Sequence, residues 1–233
     1  MSTTDSPTAA AAAPSIAEAL VTALSATWRA IQARHPDVPE VVLTLGSGTD
    51  RRTRAAKHGH FARRQWIRPV PAGADVDTPA AQDQYVHELL VSGEGLARGP
   101  AEVLGTLLHE AAHAAAEAAG VTDTSDEGRY HNKKFAALAE KLGLQVAEAG
   151  RLGWAVTSVP DTTAETYRDQ VEQLRGALTA YRVPAPAKTS GTEGRLLAAV
   201  CGCPKPRRIR IARTTFDAAG IVCTACGHEF QLA

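Results

Sequence analysis

The stretch TLLHEAAHAAAEAAG, residues Thr106–Gly120, decides how the middle of this chain folds. It consists mostly of alanine, the residue with the highest helix propensity, and is therefore predicted to be helical. Side chains four residues apart on a helix lie one turn above each other on the same face. The pattern thus predicts that His109 and His113 are neighbours on one face, with Glu110 beside them.

A His-Glu-x-x-His pattern on a helix is typical of zinc hydrolases. Two neutral imidazoles from one helical turn can hold the ion, and one coordination position stays open for water. Glu110 is then the catalytic candidate, because its carboxylate can take the proton from the zinc-bound water as that water attacks a carbonyl group. The alternative interpretation is a polar helix face that carries solvated histidines.

Two histidines make an incomplete site, and His131 is the preferred third ligand. We expect it at the start of the next helix, from where the connecting loop can bring it back over the first helix. Four carboxylates compete for this role: Glu117, Asp126, Glu127 and Glu140. Peptidases of this chemistry hold an extended substrate along a sheet edge, and Tyr85–Ser92 is predicted to be that edge. Tyr130 is a candidate for stabilising the oxyanion.

Helical and strand periodicity organises the chain around this motif. The alanine-rich helix is predicted to begin at Pro100 and to end before Gly120, because proline favours the first turn and glycine the position past the end. Further helices are predicted over Ile16–Arg34, from Asn132 to Gly143 and over Thr162–Arg182, and strands over 40–48, 60–67 and 84–95. Residues 16–182 are interpreted as one domain.

The four cysteines all lie beyond residue 200, as a Cys-x-Cys pair and a Cys-x-x-Cys pair. Such pairs fit a tetrahedral four-thiolate zinc site with the ligands Cys201, Cys203, Cys223 and Cys226. The sequence between the pairs alternates as a β-hairpin does. Because so short a module cannot bury enough core to fold alone, zinc is expected to supply the folding free energy. A closed site is structural, and residues 197–233 are interpreted as a zinc ribbon.

The composition narrows the classes of protein. The formal net charge is zero, so no overall electric field points to nucleic acid or to a membrane. The sequence has no apolar run of membrane-spanning length and no signal-peptide pattern at its N-terminus. We therefore expect a cytoplasmic location and no membrane partner. Residues 1–15 are predicted to be a disordered tail, and residues 183–196 a linker rich in proline, glycine and serine.

Three stretches together resemble the SprT-like family of zinc metalloproteases, whose eukaryotic relatives include the DNA-repair protease Spartan. They are LGTLLHEAAHAA (104–115), GRYHNKKFAALAEKLGL (128–144) and the ribbon CGCPKP…VCTACGHEF (201–230). The resemblance runs from about Ile16 to the C-terminus. It implies a zincin-type α+β fold, in which a small sheet packs on helices, and a C-terminal zinc ribbon. It also implies a metalloendopeptidase with zinc on His109, His113 and His131, and with Glu110 as the base.

The chain departs from the bacterial members in a longer N-terminus and in the insert PVPAGADVDTPAAQD (69–83), whose role the sequence does not indicate. In the ribbon, Arg207, Arg208 and Arg210 are candidate nucleic-acid contacts, and a solvated strand face is the alternative. The family resemblance makes DNA-associated proteins, including DNA–protein crosslinks, a hypothetical substrate class. Two other functions stay open: a non-proteolytic DNA-binding or regulatory zinc protein that uses the ribbon, and a zinc hydrolase of a small amide.

Overall fold

The computed structural model describes four stretches of the chain: residues 13–49, 57–69, 84–184 and 196–233. The chain divides into two compact units, Met1–Pro184 and Ala185–Ala233, and the division falls within the predicted linker 183–196. Most of that linker, of the predicted tail 1–15 and of the insert 69–83 lies outside the described residues. Each unit combines helices with small β-sheets, so the predicted α+β class is confirmed.

The main sheet of the first unit has three strands, β1 (Val41–Gly46), β2 (Gly59–Ile67) and β3 (Tyr85–Ser92), in the order β1-β3-β2. β3 runs parallel to β1 and antiparallel to β2, so it is the central strand. The prediction that Tyr85–Ser92 forms the open edge is therefore wrong. Leu89 and Val91 of β3 are 0% and 2% exposed, which suits a strand flanked on both sides rather than an edge strand.

Three helices form where the sequence predicts them. They are α1 (Ile16–Arg34), α2 (Pro100–Ala118) and α3 (Lys133–Lys141). Asn132 caps α3, because its side-chain oxygen accepts the backbone N–H of Lys134 at 2.8 Å. Within the described stretches, no helix has the length and apolar character needed to cross a membrane.

The single helix predicted over Thr162–Arg182 is instead two helices, α4 (Asp161–Thr166) and α5 (Arg168–Ala177). They are separated by Tyr167, whose backbone at φ −108° and ψ 25° leaves helical geometry. The Tyr167 side chain is 2% exposed, and the guanidinium of Arg34 lies 4.7 Å from its ring centroid. The helix therefore breaks at the residue whose large side chain is buried. This burial depends on contacts with distant residues, so the local sequence periodicity does not predict the break.

The core of the first unit is built around α2. Leu104, Leu107 and Leu108 on this helix are fully buried, and they belong to one cluster with residues of α1 and of β3. Burying a leucine side chain contributes about 1.5–3 kcal/mol, so these three contacts hold the helix firmly in place. The same rigid helix carries the His-Glu-x-x-His pattern.

Two short hairpins complete the first unit. β4 (Thr124–Ser125) pairs with β5 (Tyr130–His131), and β6 (Gln145–Ala147) pairs with β7 (Val156–Ser158). Two 3₁₀ turns cover Gly95–Arg98 and Gly150–Leu152. The loop between α2 and α3 therefore contains a small antiparallel ladder, and His131 lies in this ladder.

The second unit contains β8 (Leu197–Val200), β9 (Arg208–Ile211), α6 (Arg213–Ala218) and β10 (Gln231–Leu232), with the strand order β10-β8-β9. The sequence predicts a β-hairpin between the two cysteine pairs, but the strand found there pairs with a different strand. β9 pairs with β8, which precedes the first cysteine pair, and a helix rather than a second strand follows β9. The turn between β8 and β9 thus holds Cys201 and Cys203.

Candidate metal centre

Helix α2 presents three candidate site residues to one cleft. His109 and His113 lie one turn apart, with ring centroids separated by 5.1 Å. Glu110, between them in sequence, is 5% exposed. The helix thus places two imidazoles and a carboxylate side by side, as the spacing predicts.

His131 joins the two helical histidines from β5. It was expected at the start of the next helix, but that helix begins at Lys133, and Asn132 is its cap. The β4–β5 hairpin turns back through Asp126, Glu127 and Gly128, which have φ values of 51°, 55° and 81°. This tight turn carries His131 over α2, so that its Nε2 lies 3.2 Å from the Nε2 of His113.

The three histidines have the geometry of a metal site. One ligand nitrogen from each of His109, His113 and His131 lies within 4.8 Å of the others. Two nitrogens bound to one tetrahedral zinc at about 2.0–2.1 Å would be about 3.3 Å apart, which agrees with the 3.2 Å between His113 and His131. The donor set therefore fits a divalent metal ion such as zinc.

The protonation states of His109 and His131 also suit metal ligands. Burial, reinforced by the charges of the two neighbouring imidazoles, lowers the pKa of His109 well below its ordinary value. Burial and His113 lower the pKa of His131 to about 4. Both rings are therefore neutral at pH 7, the form in which imidazole binds a metal.

The Nδ1 atoms of the three histidines differ in their hydrogen-bond partners. His113 Nδ1 lies 2.6 Å from Asp123 Oδ2, and His109 Nδ1 lies 3.2 Å from Thr157 Oγ1 on β7. The Nδ1 of His131 is buried near the Leu152 carbonyl but makes no hydrogen bond among the described residues. Sequence reasoning missed Asp123 and Thr157. Strands of two and three residues have no periodicity that would predict which polar side chains they bring to the histidines.

The competing carboxylates lie apart from the ligand cluster. Asp126 and Glu127 are at the tip of the β4–β5 turn, where their side chains are 63% and 88% exposed and pair with Arg129. Glu117 forms an ion pair with Arg63 at 3.2 Å, and Glu140 is exposed on α3. Among the described residues, the group of three histidines therefore includes none of these four carboxylates.

Glu110 is held by the edge strand β2. Its Oε2 accepts the backbone N–H of Phe61 at 2.7 Å. Burial raises the pKa of Glu110, and the nearby His113 and the Phe61 N–H oppose that rise. Gly59 allows this contact, since a Cβ there would lie 2.9 Å from Oε1 of the same carboxylate. The carboxylate thus has one fixed oxygen and lies against a strand whose backbone is close by.

An open cavity of about 880 Å³ surrounds these groups. Its lining includes residues of β2 and the segment just before it, residues of α2, and residues from Leu152 to Val159, several of which are apolar. Leu152 and Val156 in that segment are both 52% exposed. Tyr130 is not among the described residues that line the cavity, and its ring lies next to Gly153.

The four cysteines form a second candidate metal site, in the second unit. One sulfur from each of the four lies within 4.8 Å of the others. The backbone N–H groups of Cys203 and Arg207 lower the pKa of the Cys201 thiol to about 6, which favours the thiolate that binds a metal. The Cys203 thiol donates hydrogen bonds to Cys201 and Cys226, which raises the pKa of Cys203 to about 12.

The candidate nucleic-acid contacts lie on the surface of the second unit. Arg207, Arg208 and Arg210 are exposed, and the last two are on the same face of β9 because they are two residues apart. Arg213, the next basic residue, pairs with Asp217 at 2.7 Å. The strand therefore presents a short row of cationic side chains.

Comparisons with known proteins add no identification to this geometry. The chain has no significant match to a protein-family model, to a curated protein or to a solved structure.

Proposed function

We propose that this protein is a zinc-dependent metalloendopeptidase of SprT-like type, with a zincin-type first unit and a structural zinc ribbon. The observation that carries the proposal is the convergence of three imidazoles and one buried carboxylate in a single cleft. His109, His113 and His131 would hold the ion. Three protein ligands are the usual number in a catalytic zinc site, whereas structural sites use four.

The chemistry divides between the ion and the chain. A zinc ion at this centre would supply Lewis-acid polarisation of a carbonyl and activation of a water molecule. Glu110 is the general base: Oε2 is fixed by the Phe61 N–H, and Oε1 is left to take a proton from the attacking water. The same carboxyl group then returns the proton to the leaving amine.

The edge strand favours a peptide substrate over a small amide. β2 hydrogen-bonds to β3 on one side, and its Phe61 N–H points away from β3 toward the cleft. An extended peptide can add to such an edge through backbone hydrogen bonds. The cleft is partly open to solvent, and the exposed Leu152 and Val156 provide apolar surface for substrate side chains.

Glu110→Gln is the variant that tests the proposal. We expect it to keep its metal and to cleave a histone at least about 100-fold more slowly, because the amide cannot accept the proton. Glu117→Gln is the matched control, since Glu117 lies on the same helix, lines the same cleft and, among the described residues, does not belong to the histidine ligand group. Equal cleavage by Glu110→Gln and the natural protein, both loaded with zinc, would contradict the proposal.

A second proposed function is nucleic-acid binding by the ribbon, and the exposed row of Arg207, Arg208 and Arg210 supports it. The same histone assay with single-stranded DNA separates the alternatives. Acceleration that disappears when the three arginines are replaced by alanine would indicate a peptidase recruited to DNA-associated proteins. DNA binding without any cleavage, in protein carrying two zinc ions, would favour the non-proteolytic alternative.

A further inference from the structure

The β4–β5 hairpin brings two groups to the histidine cluster at once. Asp123 directly precedes β4, and His131 is the last residue of β5. The hairpin is closed by the pairing of Thr124 with His131 and by the Asn132 N–H, which donates to the Asp123 carbonyl at 3.0 Å. The positions of Asp123 and His131 are therefore set by one small ladder.

The Asp123 carboxylate pairs with the His113 ring. Its Oδ2 lies 2.6 Å from His113 Nδ1, and the Asp123 and His113 side chains are 14% and 17% exposed. Among the described residues, this is the only hydrogen bond that the carboxylate makes. Because burying a carboxylate is costly unless it is paired, its position calls for a role at His113.

The three ligands differ in how their rings are held. His113 has a carboxylate at Nδ1, His109 has a neutral hydroxyl, and His131 has only the nearby Leu152 carbonyl among the described residues. A carboxylate that accepts from Nδ1–H fixes the ring tautomer and makes Nε2 a better electron donor. Nε2 of His113 is the atom that faces His131.

We propose that Asp123 is the positioning residue of the histidine metal centre: it holds His113 in the Nδ1–H tautomer and strengthens its bond to the ion. The inference rests on the proposed metal centre, but it does not depend on which reaction follows. It predicts that the negative charge of Asp123, and not only its hydrogen bond, contributes to metal affinity.

Two substitutions separate the charge from the hydrogen bond. Asp123→Asn keeps an acceptor oxygen and loses the charge, whereas Asp123→Ala loses both. Asp126→Asn is the matched control, because Asp126 lies in the same hairpin but is exposed and pairs with Arg129. A cobalt titration of the full chain reports both sites, since thiolate charge-transfer absorption marks the cysteine site separately from the histidine site.

We expect Asp123→Asn to weaken cobalt binding at the histidine site about 10-fold and Asp123→Ala about 100-fold, with Asp126→Asn changed less than about twofold. Binding at the cysteine site should be unchanged in all three. Nitrogen-15 NMR of the metal-free protein should show the Nδ1–H tautomer of His113 in the natural chain and lose it in Asp123→Ala. A role confined to folding would not change the tautomer of a folded variant.

The inference is overturned if Asp123→Asn and Asp123→Ala bind cobalt as tightly as the natural chain, or if Asp126→Asn weakens binding equally. It is also overturned if His113 keeps its tautomer in Asp123→Ala. Failure of the proposed peptidase would look different: cobalt affinity would depend on Asp123, while no variant would cleave protein. If Asp123→Ala does not fold, Asp123→Asn still decides the question.

Discussion

At the scale of single residues, Gly59 shows how the absence of a side chain shapes the candidate site. An added Cβ would lie 2.7 Å from Thr106 Cγ2 and 2.9 Å from both Cγ and Oε1 of Glu110. Atoms in real proteins do not approach so closely, so β2 can reach α2 here only because position 59 is glycine. The close approach is also what lets the Phe61 N–H reach the Glu110 carboxylate.

Gly59→Ala is expected to lower the free energy of unfolding by about 1–3 kcal/mol, since the methyl group must displace Glu110 or the strand. Peptidase activity should fall as well. Gly176→Ala is the control: nothing lies within 4 Å of a Cβ at this position on α5, so the free energy of unfolding should rise by about 0.5–1 kcal/mol. Urea denaturation of both variants measures the two values, and a neutral Gly59→Ala would contradict the packing argument.

At the scale of helices and strands, the sequence predicts what is locally periodic and misses what depends on distant partners. The spacing of His109 and His113 predicted their shared helical face because both residues lie on one rigid helix. The prediction that β3 forms the open edge was wrong, since nothing local shows that β2 lies at the edge and β3 between its two neighbours. Asp123 was missed for the same reason: its partner is chosen by a hairpin of two-residue strands.

Asn132 stabilises the start of α3 as its N-cap residue. Asn132→Ala removes the acceptor for the Lys134 and Phe135 N–H groups at the start of α3, a helix of only nine residues. We expect a loss of about 1–2 kcal/mol in the free energy of unfolding. Asn132→Asp keeps the acceptor and should lose less. Denaturation curves decide this, and equal losses in both variants would show that the acceptor oxygen is not the cause.

At the scale of the whole molecule, the two units differ in what their cores contain. The first unit buries a large cluster of leucines, alanines and aromatic residues. The buried cluster of the second unit consists of Ala199, Cys201, Cys223 and Phe230. Two of these four residues, the cysteines, are candidate metal ligands. Because so small a core cannot offset the entropy of ordering the chain, the proposed structural zinc would supply the remaining folding free energy.

Removal of metal should therefore unfold the second unit and leave the first folded. Treatment with a strong chelator is expected to abolish amide protection over 197–233 in hydrogen exchange, while α1 and α2 stay protected. Cys226→Ser should reproduce this pattern without a chelator, and His131→Ala should not. Retention of protection in the second unit after chelation, or loss of protection in both units together, would contradict the prediction.

The candidate metal ligands lie close together in the sequence, whereas the edge strand β2 is distant from them. All three histidines lie between positions 109 and 131, so a single local stretch can assemble the ligand set. Glu110, in contrast, meets its partner Phe61 across 49 positions of the chain. In the proposed peptidase, metal binding and catalytic activity would therefore be separable, because the first depends on residues close in sequence and the second on a contact between distant ones. A metal assay alone reports whether the 109–131 stretch has formed, and it does not report whether β2 has docked against it.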